Sequence, residues 1–441
     1  MVASQPSERS AMFRSIAASW TLFFGLLLIM AGNGLQVVLL GTRAGEAEFS
    51  NIATGFVMAG YYVGIFLGSI LVPRILANVG HVRVFGAMSA IASSAILIHA
   101  AFVDPVLWAV MRILTGFSFA GMYIVCESWL NDKATNETRG QLLSIYMIIT
   151  MGGMSLGQVM ISFGSDGGYG LFLLASVMVS MAVVPILITV GKAPEFDTPE
   201  RLGIRRLYQI SPLAVIGMAL TGAASAMIFG MGPIYGRSIG MTNTEVGYFM
   251  AAVTIGTLFL QYPVGRLSDR FDRRIVILGV AIVSGLSVLI ATFFNADNLT
   301  WLLICMLIFG GTNFPLYSLC IAHANDYLTP RQMVAMASGL IMVNGAGAVI
   351  GAPIAAMFIE YLGTISFMPA IAASQFILAL FVLVRMRSRS SVPAAAQGPY
   401  VAMPDASSGV ATSLNPEAEW VDTDEDGLAT DDPLKDNPYI N

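Results

Sequence analysis

Charged residues are scarce in this chain of 441 residues. Asp, Glu, Lys and Arg make up 11% of it and apolar residues 56%, against about 25% and roughly 45–50% in soluble proteins. A water-soluble fold this poor in charge could not cover its surface with polar groups. The composition therefore excludes a soluble globular protein and indicates that most of the chain lies in a lipid bilayer.

Cysteine and histidine are scarce as well, with three of each in the whole chain. Three cysteines are too few for a disulfide framework and for most zinc sites. The basic residues are scattered over short stretches and form no basic face of the kind that binds nucleic acid. We therefore expect no metal, no cofactor and no nucleic-acid partner.

Long apolar runs dominate instead. A helix that crosses the bilayer needs about 20 mostly apolar residues, because the hydrocarbon core is roughly 30 Å thick. Twelve such runs lie at 15–40, 51–72, 84–103, 105–130, 138–163, 169–191, 211–235, 244–265, 275–295, 298–324, 330–359 and 363–385. The pattern predicts an all-α membrane protein with twelve transmembrane helices.

The short connecting stretches carry charge unevenly. If the N-terminus lies inside, 19 of the 22 Lys and Arg residues fall on that same side, and only Arg43 and Arg237 fall on the other. Arg112 lies within an apolar run. Since positive residues favour the cytoplasmic side, we expect a multi-pass protein of the inner (plasma) membrane with both termini in the cytoplasm.

Polar stretches divide the chain into five parts. A cytoplasmic N-terminal segment spans 1–14, and six-helix bundles at 15–191 and 211–385 are joined by a cytoplasmic linker at 192–210. The remainder, 386–441, becomes strongly acidic near its end. Such a composition cannot bury enough apolar area to offset the entropy lost on ordering. We therefore expect a disordered acidic cytoplasmic tail, which is either inert or binds a partner.

The two bundles repeat each other in sequence. A shift of 192 aligns Gly64 with Gly256, and a shift of 194 aligns Tyr123–Asp132 with Tyr317–Asp326. Further aligned pairs are Gly25 with Gly217, Gly116 with Gly310, and Gly157 with Gly351. Because each copy has an even number of helices, both copies start from the same side and the repeat is parallel. Parallel repeats are one architecture of secondary transporters, with the solute site between the halves.

Residues 265–274 read GRLSDRFDRR. They resemble the loop signature G-x-L-x-D-R-x-G-R-R of the major facilitator superfamily (MFS) of transporters, with Asp272 in place of the second glycine. Arg112–Gly116 is similar to the family's R-x-x-x-G pattern, and Cys126–Gly140 resembles the YcaD-type branch. The resemblance implies the MFS fold, in which two six-helix halves rock about a central cavity.

The loop signature implies a conformational latch. In the family its acidic residue docks against the start of the fifth helix when the protein opens outward, which here brings Asp269 to Arg139 and Gly140. The first turn of a helix carries unpaired N–H groups and partial positive charge, which favour such a contact. The latch residues of the loop are Gly265, Asp269, Arg270, Arg273 and Arg274. The alternative is a solvated loop that only sets the topology.

Glu127 and Arg139 flank the connection between the fourth and fifth runs. In sugar-porter relatives a helix-4 glutamate and a following arginine form a cytoplasmic charge relay, so the resemblance adds both residues to the latch. A carboxylate at membrane depth is unfavourable unless it is paired, and we expect an arginine partner for Glu127. The alternative is a carboxylate that reaches out to the polar interface.

Arg112 is the one basic residue well inside an apolar run. The resemblance implies that its helix and the first helix, which carries Asn33 and Gln36, both line the central cavity. An unpaired arginine there is unfavourable by several kcal/mol, and no acidic residue lies clearly at its depth. These three residues are therefore candidates to bind a polar or anionic solute. The alternative is that Arg112 is a strut between the first and fourth helices.

Further candidates lie in both halves. Asn313 and Asn344 fall near the middle of the membrane, where they either line the cavity or form hydrogen bonds that join helices. Additional candidates for the cavity wall are Tyr61, Tyr62, Tyr248 and Gln261.

The predicted function is transport of a small polar or anionic solute by alternating access, in a protein expected to be a monomer and not an enzyme. No carboxylate lies clearly at the midplane, so coupling to protons or to another ion is left open. One alternative is a polytopic membrane enzyme, which would need clustered His, Asp or metal ligands. The other is a transport-inactive sensor that signals through the acidic tail.

Overall fold

The computed structural model describes residues 8–135, 138–164, 169–187, 202–388, 392–393, 396–404 and 408–414. In this part of the chain the secondary structure consists of fourteen α-helices and a few short 3-10 turns. The helices are α1 Glu8–Glu46, α2 Asn51–Val79, α3 His81–Ala101, α4 Pro105–Lys133, α5 Arg139–Val159, α6 Tyr169–Met181, α7 Val184–Leu187, α8 Ile204–Ile210, α9 Pro212–Ser238, α10 Asn243–Ser268, α11 Arg273–Ala291, α12 Leu299–Asn325, α13 Pro330–Leu362 and α14 Phe367–Ser388.

Twelve of the described segments are long and apolar enough to cross a membrane. Helices α1–α5 form the first five spans, α6 and α7 together form the sixth, and α9–α14 form the remaining six. Each span coincides with one predicted apolar run, which confirms the twelve-helix prediction. The short helix α8 leads into α9, and most of the predicted linker, 192–201, lies outside the described residues.

Local sequence sets the helix starts on one side of the bundle. Ser50 and Asp104 each accept a hydrogen bond from a backbone N–H three residues later, which caps α2 and α4. Thr242 and Glu245 form a reciprocal capping box at the start of α10. Such caps satisfy N–H groups that a helix leaves unpaired in its first turn. The spans can therefore follow one another through short loops.

The two halves pair their helices in the same way. In the first half α1 packs on α5, α2 on α4 and α3 on α6, and in the second half α9 packs on α13, α10 on α12 and α11 on α14. Three pairs of glycines aligned by the repeat, Gly64 with Gly256, Gly116 with Gly310 and Gly157 with Gly351, make equivalent contacts. A Cβ on Gly116 would overlap the carbonyl of Tyr61 in α2, and a Cβ on Gly310 would overlap that of Val253 in α10. The repeat therefore governs the closest helix crossings as well as the sequence.

The halves meet through α1 with α9, α2 with α13, and α5 with α10. We call the side of the bundle at which α14 ends the terminal face, and the other side the loop face. Near the loop face the halves bond directly. Asn51 Nδ2 donates to Glu360 Oε2 at 2.8 Å, Ser155 Oγ lies 2.6 Å from Thr254 Oγ1, and Thr254 donates to Gln158 Oε1 at 2.9 Å. The bundle is therefore closed at the loop face.

At the terminal face, part of the predicted disordered tail is packed between the halves. Met403, Val410 and Leu414 are at most 5% exposed. For the described stretches 396–404 and 408–414 the structure thus differs from the expectation of disorder, because a groove in the bundle supplies the buried environment that the tail cannot form by itself. The acidic end of the tail lies outside the described residues.

Candidate solute site and terminal groove

A buried arginine lies at the centre of the first candidate site. Arg112, on α4, is 2% exposed, and its Cζ lies 4.4 Å from the centroid of the Tyr61 ring on α2. The face of an aromatic ring attracts a cation at this distance. Arg112 Nε and Nη1 have no hydrogen-bond partner within the described residues. These two N–H donors of the guanidinium are therefore available to bind a further group.

Two amides of α1 lie in the same half, and one of them joins the cluster directly. Asn33 Nδ2 donates to the hydroxyl oxygens of Tyr61 and Tyr123 at 3.1 and 3.2 Å, which ties α1 to α2 and α4. Asn33 Oδ1 and both polar atoms of the Gln36 amide are buried without a partner in the described structure. Tyr62 packs edge-on against Tyr61, with ring centroids 5.5 Å apart.

This cluster combines one positive charge with unsatisfied amides and phenol rings. None of the ion pairs formed among the described residues includes Arg112. Unpaired polar groups in a buried place are unfavourable until a partner supplies the missing hydrogen bonds. The arrangement can therefore accept a polar solute with an acidic or other electron-rich group. Tyr123 was not among the predicted residues, although its alignment with Tyr317 in the repeat had singled it out.

In the second half the predicted asparagines join helices. Asn313 on α12 donates from Nδ2 to Ser225 Oγ on α9 at 3.0 Å and accepts at Oδ1 from Gln375 Nε2 on α14 at 2.9 Å. Asn344 on α13 donates to the carbonyl of Met218 on α9 at 3.1 Å. These contacts match the packing alternative, with neighbouring helices as partners instead of each other. Gln375 is the partner that sequence reasoning missed.

The remaining wall candidates lie in different places. Tyr248 is 44% exposed on α10, near the loop face. Gln261 is buried further along α10, where its Nε2 donates to Ser318 Oγ at 3.4 Å. Gln261 therefore belongs to the groove at the terminal face, which we call the terminal groove.

The terminal groove separates the two halves between α5 and α10. Its cavity of about 700 Å³ is lined on the α5 side by residues from Gly140 to Ile148 and on the α10 side by residues from Thr257 to Asp269. Residues 399–402 of the tail form a third wall. Asp269 and the start of α5 thus face the same cavity, and the tail lies in it.

Asp269 bonds to the tail in this conformation. Its Oδ1 accepts the N–H of Tyr400 at 2.7 Å and lies 4.0 Å from Arg273 Nη2. Gly265 faces the same tail residue, since a Cβ there would overlap the Tyr400 ring. Arg270 is exposed.

Arg273 is the most connected residue of the loop. Its side chain is 1% exposed and donates to Ser268 Oγ at 3.0 Å, to the Ala322 carbonyl at 2.8 Å and to Asp326 Oδ1 at 2.5 Å. It also donates to the carbonyl of Gly398 in the tail at 2.6 Å. Arg273 therefore joins the loop, the end of α12 and the tail.

Asp272, the residue that departs from the loop signature, caps the helix that follows it. Asp272 caps α11, because its Oδ1 accepts the N–H of Arg274 at 3.0 Å, and its Oδ2 lies 2.9 Å from Arg274 Nη2. Although burial acts to raise it, these bonds from Arg274 hold the pKa of Asp272 below its ordinary value. A capping aspartate thus replaces the glycine at this turn.

The expected arginine partner of Glu127 is not observed among the described residues. Glu127 on α4 is fully buried, and its carboxylate accepts the hydroxyl of Tyr146 at 2.7 Å and the N–H and hydroxyl of Ser408. Arg139 starts α5, whereas Tyr146 lies about two turns further along α5 and presents its hydroxyl to the carboxylate. Neutral donors therefore satisfy Glu127, and the predicted pairing was wrong for this conformation.

Comparison with known proteins identifies the fold and the family. A family model for the Major Facilitator Superfamily matches residues 22–211 and 214–422. A protein of Escherichia fergusonii named uncharacterized MFS-type transporter YcaD is 24% identical over 375 residues, which cover 84% of this chain and 96% of the relative. A protein of the same name from Salmonella arizonae is 26% identical over 377 residues, with the same coverage. These relatives confirm the YcaD-type resemblance.

Solved structures with the same fold include two transporters. The crystal structure of the nucleoside transporter NupG covers 83% of this chain and 98% of its own, with a TM-score of 0.70 and 14% identity. That of a D-xylose-proton symporter covers 84% and 97%, with a TM-score of 0.64 and 14% identity. At these identities the likeness establishes the fold. The named matches are transporters and not enzymes.

Proposed function

Because this chain belongs to the major facilitator superfamily of transporters, we propose that it moves a small polar or anionic solute by alternating access, with Arg112 at the centre of the solute site. The observation that carries the proposal is the open guanidinium. Arg112 is 2% exposed, and its Nε and Nη1 lack a partner within the described residues. A carboxylate or phosphate oxygen would pair with these donors through charge-assisted hydrogen bonds.

The neighbours of Arg112 favour a solute that also has polar groups. Asn33 Oδ1 and the Gln36 amide offer both acceptors and donors, and Tyr61 and Tyr62 offer ring faces and edges. The position aligned with Arg112 in the second half is the buried Met306. The site is therefore asymmetric, with its charge on the first half.

The closed loop face and the groove at the terminal face support a conformation that opens at the terminal face. We propose that the halves 15–191 and 211–385 move as units of a monomeric transporter, and that the terminal face is the cytoplasmic side of the inner membrane. The support is the excess of Lys and Arg on that side. In the other conformation the terminal groove closes and Asp269 reaches the start of α5 near Gly140, where unpaired N–H groups stabilise a carboxylate.

Ligand-dependent thermal stability of the purified protein tests the solute site. A solute that binds the folded state raises the unfolding midpoint, so small carboxylates, phosphate esters and neutral sugars are screened on the wild type. The acids that shift the wild type should shift Arg112→Lys less and Arg112→Gln not at all. Arg43→Gln is the matched control, since Arg43 lies at the loop face and pairs there with Glu46, with each side chain about one third exposed.

Uptake of the same solutes into vesicles, with and without a pH gradient, identifies the coupling ion. Arg112→Gln with normal ligand shifts and uptake would remove Arg112 from the site. The alternative is that Arg112 is a strut between the first and fourth helices. Arg112→Gln should then lower the free energy of unfolding without any ligand, and Asn33→Ala should lower it by a similar amount. The double variant should lose less than the sum of the two single losses.

A further inference from the structure

Two stretches of the tail, residues 398–404 and 408–414, lie between the two halves at the terminal face, and we call them the tail plug. The first stretch bonds to α10 and α12 of the second half. The second stretch packs against α4, α5 and α13. The plug therefore contacts both moving units of the protein, whereas a tail bound to one half would move with it.

Backbone groups of the first stretch are held by side chains of the second half. The N–H of Tyr400 donates to Asp269 at 2.7 Å, the N–H of Met403 donates to Ser318 Oγ at 3.0 Å, and Ser318 in turn donates to the Met403 carbonyl at 3.1 Å. Gly398 accepts from Arg273 Nη2 at 2.6 Å. Side chains of the bundle thus satisfy backbone groups of Gly398, Tyr400 and Met403, as they would for a bound peptide.

The second stretch reaches the buried carboxylate of the first half. The N–H of Ser408 lies 3.1 Å from both oxygens of Glu127, and its hydroxyl also donates to this carboxylate. Gly409 lies against Ser338 on α13, where a Cβ would be 2.5 Å from Ser338 Oγ. Leu414 is completely buried. Charged and apolar contacts together fix this stretch.

The contacts of the plug coincide with groups that the transport cycle needs free. Asp269, which would dock on α5 in the other conformation, accepts the tail instead. The Tyr400 ring occupies the space next to Gly265, between α5 and α10, through which these helices would approach each other. Closure of the terminal groove and docking of the plug are therefore mutually exclusive.

We propose that the tail plug is an intramolecular inhibitor, which closes the solute path at the terminal face and keeps α5 and α10 apart until it is released. Its docking follows from the contacts alone, whereas its effect on flux rests on the proposed alternating access. The binding surface is the terminal groove, and its occupant is the tail plug of this chain, residues 398–404 and 408–414.

Hydrogen exchange of the full-length protein tests docking without any solute. The amides of Tyr400, Met403 and Ser408 donate to the bundle, so they should exchange about tenfold or more slowly than in a free peptide of the same sequence. Ser408→Asp puts a second carboxylate beside Glu127 and should abolish the protection. The control is Ala396→Asp, which adds the same charge at an exposed tail position and should keep it.

A second pair of variants acts on the first stretch. Tyr400→Ala removes the ring that fills the space beside Gly265 and should release the plug, whereas Tyr400→Phe keeps the ring and should retain it. Exchange in the wild type at the rate of the free peptide would show that the tail does not dock and would overturn the proposal.

Distance measurement separates inhibition from mere docking. Spin labels at Ser144 on α5 and Tyr262 on α10, both exposed at the groove, should give one long distance in wild type and an additional shorter one in Ser408→Asp. Solute flux should rise several-fold in the same variant. Loss of amide protection with unchanged distances would refute inhibition by the plug. A shortened distance with no flux of any tested acid would support the plug and contradict the proposed solute.

Discussion

Replacing Asp326 by asparagine should destabilise the protein far more than the same change at Asp132, its partner in the repeat. Asp326 Oδ1 lies 2.5 Å from Arg273 Nη1, and both side chains are 1% exposed. Asp132 is exposed at the equivalent end of α4. The same chemical change therefore removes a buried ion pair at one position and a solvated charge at the other.

The size of the loss follows from the contacts that remain. Removing one partner of a buried ion pair costs about 3–5 kcal/mol. Asparagine still offers an acceptor oxygen, and Arg273 keeps its bonds to Ser268 and to the Ala322 carbonyl. We therefore expect the lower end, about 3 kcal/mol, for Asp326→Asn. An exposed carboxylate contributes only about 0–1 kcal/mol, which we expect for Asp132→Asn.

Thermal unfolding in detergent measures the difference. Asp326→Asn should lower the midpoint by roughly 3 °C, whereas Asp132→Asn should stay within about 1 °C of the wild type. Combining Asp326→Asn with Arg273→Gln should cost less than the sum of the single losses, because the two residues are in contact. Equal shifts at Asp326 and Asp132, or strict additivity, would refute the assignment of a buried pair.

Two further predictions address packing and topology. Gly116→Ala should destabilise the protein by about 1–3 kcal/mol, because its Cβ would overlap α2. At Gly152 a Cβ would meet nothing within 4 Å, so Gly152→Ala should be neutral or stabilise by up to about 1 kcal/mol. Thermal unfolding measures both changes, and equal effects would contradict the helix-crossing argument. A cysteine introduced at Asp297 should react with an impermeant reagent from outside intact cells, and one at Ser388 only after the membrane is opened; labelling of Ser388→Cys from outside would reverse the orientation.

Most of the fold could be read from the sequence because its determinants are local. Each span needs an apolar run of sufficient length, and all twelve runs coincide with observed spans. The aligned glycines, such as Gly116 and Gly310, also anticipated the tight crossings, since a close approach of two helices excludes a Cβ. Both properties depend on short stretches of chain and a regular helix.

The contacts of the site were harder to anticipate because they depend on distant parts of the chain. Ser408 lies 281 residues from Glu127 in the sequence. The composition of the tail does not predict that Ser408 bonds to a buried carboxylate. Similarly, the amide of Gln375 reaches Asn313 because α14 packs against α9. The chemical need for a partner was predictable in both cases, whereas the partner was set by tertiary packing.

The repeat separates what packing requires from what function requires. Three of the close helix crossings have glycine in both halves, at Gly64 and Gly256, at Gly116 and Gly310, and at Gly157 and Gly351, because the same crossing geometry occurs twice. Some charged positions, by contrast, are charged in one half only. Arg112 corresponds to Met306, and Asp269 corresponds to Ala77. If both halves had kept both charges, the membrane interior would hold a second buried arginine at further cost. The charge of the proposed solute site therefore occurs in the first half only, and the carboxylate proposed to dock on α5 occurs in the second half only.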